Sequence, residues 1–442
     1  DPNITNEAYG PPNLVDLDHD GHEEVVVMGG FTRNVQGRDG ARGSVFVEML
    51  SVAEGSGAFR WQVEDDFVGF SIPAVGDLDG DGDLDIVAIG SNNLKRYEAD
   101  GTPFPGWQVE TLNDIIVYSP VIADIDGNPS NGLEIAACAY VFGPQVPEQV
   151  YVWNQDGSLH SAMWPKEIVG TFCNALTVVD LDSDPSNGLE IILGVDYSKD
   201  LPVDPGTGFF NTFDVFAWHA DGSDVKGWPH HFLREPNLGL VDDRIISGAT
   251  AGDINGDGDI EIVVGTYGQG DPANGNLFVF HHDGTLDANW PRWAGIAQTP
   301  SVFGGTALGD LDGDGLLEIV TASFKGVYVF RANGEMFDGF PRMSTDNFGQ
   351  PMIADIDGDG KLEIVEASLV DGVFAWQLST PSPIQQPWPQ FRQNPGNTGA
   401  LPVRTQVPTL GETGWAVAFF LFASVGSVLA LRARQTSRVS RS

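Results

Sequence analysis

Basic residues are scarce in this 442-residue chain: 22 Lys and Arg face 62 Asp and Glu, leaving a formal charge of −40. Nucleic acid is therefore excluded as a partner, because phosphate recognition needs a basic footprint. Cysteine is scarcer still. Cys138 and Cys173 are the only two, with no CxxC or Cys/His spacing, so zinc is not expected. Both lie in apolar runs, "LEIAACAY" and "TFCNALTVVD", which favours buried free thiols over a disulfide. Long helical periods are missing, whereas 55 Gly and 28 Pro point to turns between short strands. No G-x-S-x-G, HExxH or glycine-rich phosphate loop occurs. The pairs His230-His231 and His281-His282 would point to opposite faces of a strand, so no shared ion or catalytic role is expected of them. The chain opens on Asp1-Pro2 without Met or an apolar leader, which predicts a mature or partial chain.

What the chain does have is one acidic phrase written seven times. "DLDHDGHEEVVV" starts at Asp16, "DLDGDGDLDIVA" at Asp77, "DIDGNPSNGLEIAA" at Asp124 and "DLDSDPSNGLEIIL" at Asp180. "DINGDGDIEIVV" follows at Asp253, "DLDGDGLLEIVT" at Asp310 and "DIDGDGKLEIVE" at Asp355. Successive starts lie 61, 47, 56, 73, 57 and 45 residues apart, too long for a solenoid repeat and suited to one four-stranded sheet each. A second phrase follows most loops, as in "VYVWNQDGSLHSAMWP" from Val150 and "VYVFRANGEMFDGFP" from Val327. Its Asx-Gly pair between alternating apolar runs predicts a two-residue hairpin turn. Four strands per repeat and seven repeats predict an all-β, seven-bladed β-propeller over residues 1–400. The 73-residue gap is expected to hold an insertion within blade 4, residues 196–212, and not an eighth blade. Trp107, Trp164, Trp228 and Trp290 recur at repeat positions and are read as blade-packing residues rather than sugar platforms.

From the first to the closing acid, the seven loops hold 29 of the 62 acids, a clustering that solubility alone does not explain. Alternating carboxylates around a glycine-permitted bend offer the oxygen shell that Ca²⁺ takes. The five regular loops nominate Asp16, Asp18, Asp20, His22 and Glu24; Asp77, Asp79, Asp81, Asp83 and Asp85; Asp253, Asn255, Asp257, Asp259 and Glu261; Asp310, Asp312, Asp314, Leu316 and Glu318; and Asp355, Asp357, Asp359, Lys361 and Glu363. The varied seventh position (His22, Asp83, Asp259, Leu316, Lys361) fits ligation by its backbone carbonyl. Two longer loops nominate Asp124, Asp126, Asn128 and Glu134, and Asp180, Asp182, Asp184 and Glu190, with the closing acid two residues later. An EF-hand is excluded because its twelfth-position acid is missing from all regular loops but the last, which has Glu366. Up to seven Ca²⁺ ions are expected, and their removal should leave each loop repelling itself.

These repeats resemble the FG-GAP/VCBS family of calcium-binding propeller repeats, which also builds the integrin α-subunit headpiece. "SVFGGTALGDLDGDGLLEIVTAS" and "NFGQPMIADIDGDGKLEIVEAS" carry its Phe-Gly and Asp-rich core, and "PWPQFRQNPGNTG" resembles the closing segment of exported bacterial members. The resemblance implies a calcium-stabilised adhesion or ligand-binding scaffold; some members are carbohydrate-active. Residues 401–414 read as a Pro-rich linker and sorting motif. Trp415 to Leu431 is an uncharged run at the short end for a transmembrane helix, and residues 432–442 form an arginine-rich tail. The positive-inside tendency puts that tail in the cytoplasm and the propeller outside. The segment resembles a bacterial IPTL-type C-terminal sorting signal, with Val407-Pro408-Thr409-Leu410 in the motif position. That implies either simple membrane anchoring or release by an exosortase-like protease. The expected function is a non-catalytic surface module binding an extracellular protein or glycan. The alternative is a secreted polysaccharide-active enzyme on the same scaffold.

Overall fold

Runs such as "LEIVTAS" are apolar at nearly every position, so they need burial on both faces of a sheet. In the computed structural model they have it: Ile319, Val320 and Ala322 are fully buried, as are Ile86, Val87, Ala88 and Ile89. The structure describes residues 6–381 except 9–12, 37–41, 54–58, 65–71, 91–92, 111–114, 117–118, 141–147, 169–171, 185, 197–210, 234–242, 246–247, 269–275, 291, 294–301, 324–325, 345–349 and 369–371. Residues 382–442, with the expected sorting motif and the span 415–431, lie outside them. No helix among the described residues is long and apolar enough to cross a membrane.

The described strands form seven antiparallel sheets in chain order, here called blades 1 to 7. Blade 2 shows the plan, with strands Ala74–Gly76, Asp85–Ile89, Asn93–Glu98 and Pro103–Glu110 hydrogen-bonded in sequence. In blades 1, 3, 4 and 5 the first strand is split into two short pieces, both paired to the second strand. Blade 7 shows three strands among the described residues. First strands of consecutive blades neighbour each other, from Asn13–Val15 through to Met352–Ala354. The core accordingly lies between sheets. One cluster joins blades 1 and 2 through Leu50, Val52, Val75 and Ile86, and another joins blades 6 and 7 through Val327, Val329 and Ile364. Each such side chain, fully buried, contributes roughly 1.5–3 kcal/mol. Strands Glu190–Asp196 and Asn211–Trp218 pair directly within blade 4, and residues 197–210 of the expected insertion lie outside the described residues.

Five indoles tie the blades together. Trp61, Trp107, Trp164, Trp228 and Trp290 each donate Nε1–H to a backbone carbonyl in the next blade's hairpin, at Ala99, Gln155, Ala220, His282 and Ala332. The packing role expected of four of them therefore stands, and Trp61 joins them.

Two expectations are corrected. The hairpin turns are not two-residue primed turns: Gly157 N–H bonds to Asn154 O and Asn154 N–H to Ser158 O, and only Gly157 has positive φ (83°). A three-residue loop ending in a left-handed glycine satisfies the strand twist with one unusual residue instead of two. The expected free thiol is also corrected at Cys138, which is disulfide-bonded; no free cysteine is found among the described residues, and Cys173 is the only other cysteine in the sequence.

Candidate metal centre

Every acidic phrase forms the connection from the first to the second strand of its blade. In the regular loops one hydrogen-bond frame repeats. The first Asp forks onto two backbone amides: Asp77 Oδ1 accepts Gly80 N–H (2.9 Å) and Oδ2 accepts Gly82 N–H (3.1 Å). Asp253, Asp310 and Asp355 do the same in their loops, and Asp16 forks onto the amides of Asp20 and Gly21. The fifth-position Asp caps the amide two residues on, as Asp314 does for Leu316 (2.8 Å) and Asp359 for Lys361 (2.9 Å). The frame requires positive φ at position four. Gly80 (76°) and its counterparts adopt it freely, whereas His19 (60°) and Ser183 (59°) hold it despite their side chains.

The closing acid does a different job. Its Oε2 or Oδ2 accepts the amide of position two: Leu17–Glu24 2.8 Å, Leu78–Asp85 3.0 Å, Ile125–Glu134 2.9 Å, Leu181–Glu190 2.7 Å, Ile254–Glu261 2.9 Å, Leu311–Glu318 2.8 Å and Ile356–Glu363 2.9 Å. The carbonyl of that same second residue can then accept an amide from the following blade. Leu133 N–H bonds to Leu78 O (2.9 Å), Leu189 to Ile125 O (2.7 Å) and Leu317 to Ile254 O (3.1 Å). In these three blades the closing acid therefore fixes a residue whose carbonyl holds the neighbouring blade. Gly188 shows how close the blades come: a Cβ there would lie 2.1 Å from Ile125 O, and its φ is 86°.

A cation fits these loops on two observations. Donor oxygens gather within 4.8 Å in the groups Asp16, Asp18 and Glu24; Asp77, Asp79 and Asp81; and Asp310, Asp312 and Glu318. Buried carboxylate oxygens face no hydrogen-bond donor, among them Asp79 Oδ1, Asp124 Oδ1, Asp180 Oδ1, Asp312 Oδ1, Glu134 Oε1 and Glu363 Oε1. Each such atom costs about 1–3 kcal/mol or more when ionised, a cost that a bound cation removes. Burial, ahead of the neighbouring loop acids, also pushes the carboxyls of Glu134, Glu190 and Glu318 up to about 7. Oxygens already bonded to amides keep a second lone pair for an ion.

The hairpin strands bring a second set of residues that the motif does not reveal. Arg60 pairs with Asp18 and Glu24. Arg96, 4% exposed, holds Asp79 (2.6 Å) and both oxygens of Asp85 (2.7 and 2.8 Å) and stacks on Phe104. Arg331 holds Asp312 (2.7 Å). In blades 4 and 5, His219 Nδ1 meets Glu190 Oε1 (3.0 Å) and His281 Nδ1 meets Glu261 Oε1 (3.3 Å). In blade 7, Gln377 donates to Asp359 (2.7 Å). The only sequence signal for this set is position: His219, His281 and Arg331 each directly follow a third strand, three residues before the turn glycine. His231 and Asp214 form a separate pair (2.7 Å) on the outer strands of blade 4, and His282 lies 3.5 Å from Asp259.

Seven antiparallel sheets, each with an acidic loop between its first two strands, define a β-propeller-like, all-β repeat protein. Residues 253–321 and 310–366, covering blades 5 to 7, match the FG-GAP-like repeat family. None of the curated proteins matches the chain. Among solved structures, it is similar to the V. cholerae biofilm matrix protein Bap1 (14% identity, 90% of this chain and 94% of that one, TM-score 0.45). It is also similar to a Bacillus licheniformis rhamnogalacturonan lyase (14%, 86% and 73%, TM-score 0.49). A third is the BP39L lectin of Burkholderia pseudomallei (12%, 86% and 96%, TM-score 0.44). Likeness at this level carries no functional argument.

Proposed function

We propose that this chain is an exported, calcium-binding seven-bladed propeller, closed into a ring, that serves as a non-catalytic surface module for an extracellular protein or glycan. One observation carries the reading: in all seven loops the closing acid is committed to a backbone amide, while buried carboxylate oxygens in the loops remain without a donor. Such groups are placed to hold a cation and a peptide rather than to pass a proton to a substrate. The metal set is the one nominated above, with the backbone carbonyls of the variable seventh position completing the shell. Cys138 in a disulfide supports passage through an oxidising compartment, as at a bacterial surface. The uncharged run 415–431 and its arginines would then anchor the protein with its C-terminus in the cytoplasm, or serve an exosortase-like protease before release.

The metal reading is tested by melting the full chain in EGTA and in millimolar Ca²⁺. A large upward shift of the midpoint with Ca²⁺ is expected; an unchanged midpoint refutes structural calcium. The binding reading is tested on glycan arrays and by depolymerisation assays on acidic polysaccharides. Calcium-dependent retention without cleavage is the expected result, and chain cleavage would replace it with the polysaccharide-active alternative.

A further inference from the structure

We propose that the loop of blade 3 binds a first-row transition ion of the Zn²⁺/Co²⁺ class through His160, Asp126 and Glu134, in preference to Ca²⁺. This rests on the reading of the loops as cation cradles and changes the ion in one of them.

Donor atoms of Asp126, Glu134 and His160 lie within 4.8 Å of one another. His160 thus faces the third-position and closing acids of its loop, the pair that the Arg96 guanidinium neutralises in blade 2. Glu134 is 0% exposed; its Oε2 takes the Ile125 and Asp126 amides, and its buried Oε1 has no partner. A charged oxygen in that position calls for a cation, and blade 3 offers an imidazole there.

The tautomer of that imidazole can be read from its neighbour. Ser158 Oγ–H is given to Asp156 Oδ1, so Ser158 Oγ accepts from Asn154 Nδ2 (2.9 Å), which fixes the oxygen end of the Asn154 amide. That oxygen lies 2.9 Å from His160 Nδ1 and can only accept, so Nδ1 carries the proton. Nε2 is left with its lone pair. A ring held at one nitrogen by an outer oxygen, with the other nitrogen free, is the arrangement that orients a histidine ligand. Calcium selects oxygen donors, whereas imidazole nitrogen suits zinc and cobalt. Blade 4 gathers Asp182, Glu190 and His219 in a similar way, but there Nδ1 is itself spent on Glu190 (3.0 Å). It serves as an internal control.

The test titrates Co²⁺ into the metal-stripped full chain in the presence of millimolar Ca²⁺, following the visible d–d absorption and the bound metal. The parent should take up one Co²⁺ that Zn²⁺ displaces and excess Ca²⁺ does not. His160→Gln should weaken Co²⁺ uptake at least tenfold, and Asn154→Ala by about tenfold through loss of ring orientation, while His219→Gln leaves it unchanged. The calcium-dependent melting shift of His160→Gln, if kept, shows that the variant is folded. Uptake that is equal in the parent and His160→Gln, or displaced by Ca²⁺, overturns the proposal. Absent Co²⁺ uptake with an intact calcium shift overturns it while leaving the calcium loops standing; loss of both removes both.

Discussion

Glu318→Gln isolates the energetics of a single loop. The parent carboxylate is 1% exposed, accepts the Leu311 amide at 2.8 Å and shares its loop with Asp312 and Asp314. Burial, ahead of those neighbouring acids, pushes its pKa from 4.5 up to about 7. Without a divalent cation, the native protein therefore keeps a proton that the unfolded chain has lost across the window from about pH 4.5 to 7. The native state binds more protons there, so stability falls as pH rises: the contribution is fully present below 4.5 and lost above about 7. The gap is worth ~3 kcal/mol at ~1.4 kcal/mol per tenfold change in proton affinity. Glutamine stays neutral at every pH and keeps an oxygen for the Leu311 amide.

In EGTA the variant should therefore be more stable than the parent at pH 8, by up to ~3 kcal/mol, and level with it near pH 4.5. In millimolar Ca²⁺ the order should reverse, because the parent gains an ion and the variant has lost a ligand. Denaturant melts at both pH values, with and without EGTA, read the difference. Salt above the physiological range screens the general repulsion among the 62 acids and leaves the buried term. A variant less stable than its parent at pH 8 in EGTA, or one gaining as much from Ca²⁺ as the parent, refutes the reasoning. Glu366 gives a contrast: burial pushes its pKa to about 8 and it lies outside the loops, so Ca²⁺ should not cancel its share of the pH dependence.

Three further outcomes are expected. Gly188→Ala brings a Cβ onto Ile125 O at a positive φ and should cost roughly 2–3 kcal/mol; the Leu189 amide, bonded to that carbonyl, should exchange its hydrogen faster. Arg96→Gln strips the counter-charge from buried Asp85 and should cost about 3–5 kcal/mol in EGTA, with Ca²⁺ recovering part of the loss in thermal melts. Cys138→Ser should lower stability by about 4 kcal/mol, from the loop of about 35 residues up to Cys173, and a mass gain on alkylation should require prior reduction.

The loops were legible because their chemistry is local. A carboxylate that must fork onto amides three and five residues ahead writes Asp-x-x-Gly-x-Gly into the sequence, as it does at Asp77, Asp253, Asp310 and Asp355, and a strand follows each such fork. The sheets were legible for the same reason, from apolar runs and Asx-Gly pairs, although Asp-Gly alone did not distinguish a primed turn from one with a single left-handed glycine. The cystine, Arg96 and His160 were hidden because they act across strands. Nothing in the spacing of His160 from Glu134 marks them as neighbours until the hairpin folds back onto its own loop.

That non-local layer decides what the local motif can do. Similar acidic phrases recur in blades 2, 3 and 4, yet in the first the third and closing acids meet a guanidinium, in the second an imidazole with a free Nε2, and in the third an imidazole already bonded to the closing glutamate. Cation affinity should therefore differ from blade to blade even where the motif does not. The differences would not stay local, since the closing acids of blades 2, 3 and 5 fix residues whose carbonyls bond the next blade, as at Leu78–Leu133 and Ile125–Leu189. An ion entering one loop thus stiffens two blades, and a loop neutralised by arginine gives its neighbour the same support without an ion. The protein-borne cations Arg60, Arg96 and Arg331 can hold blades 1, 2 and 6 before any metal arrives, leaving the histidine-lined blades between them as the part of the array most responsive to metal.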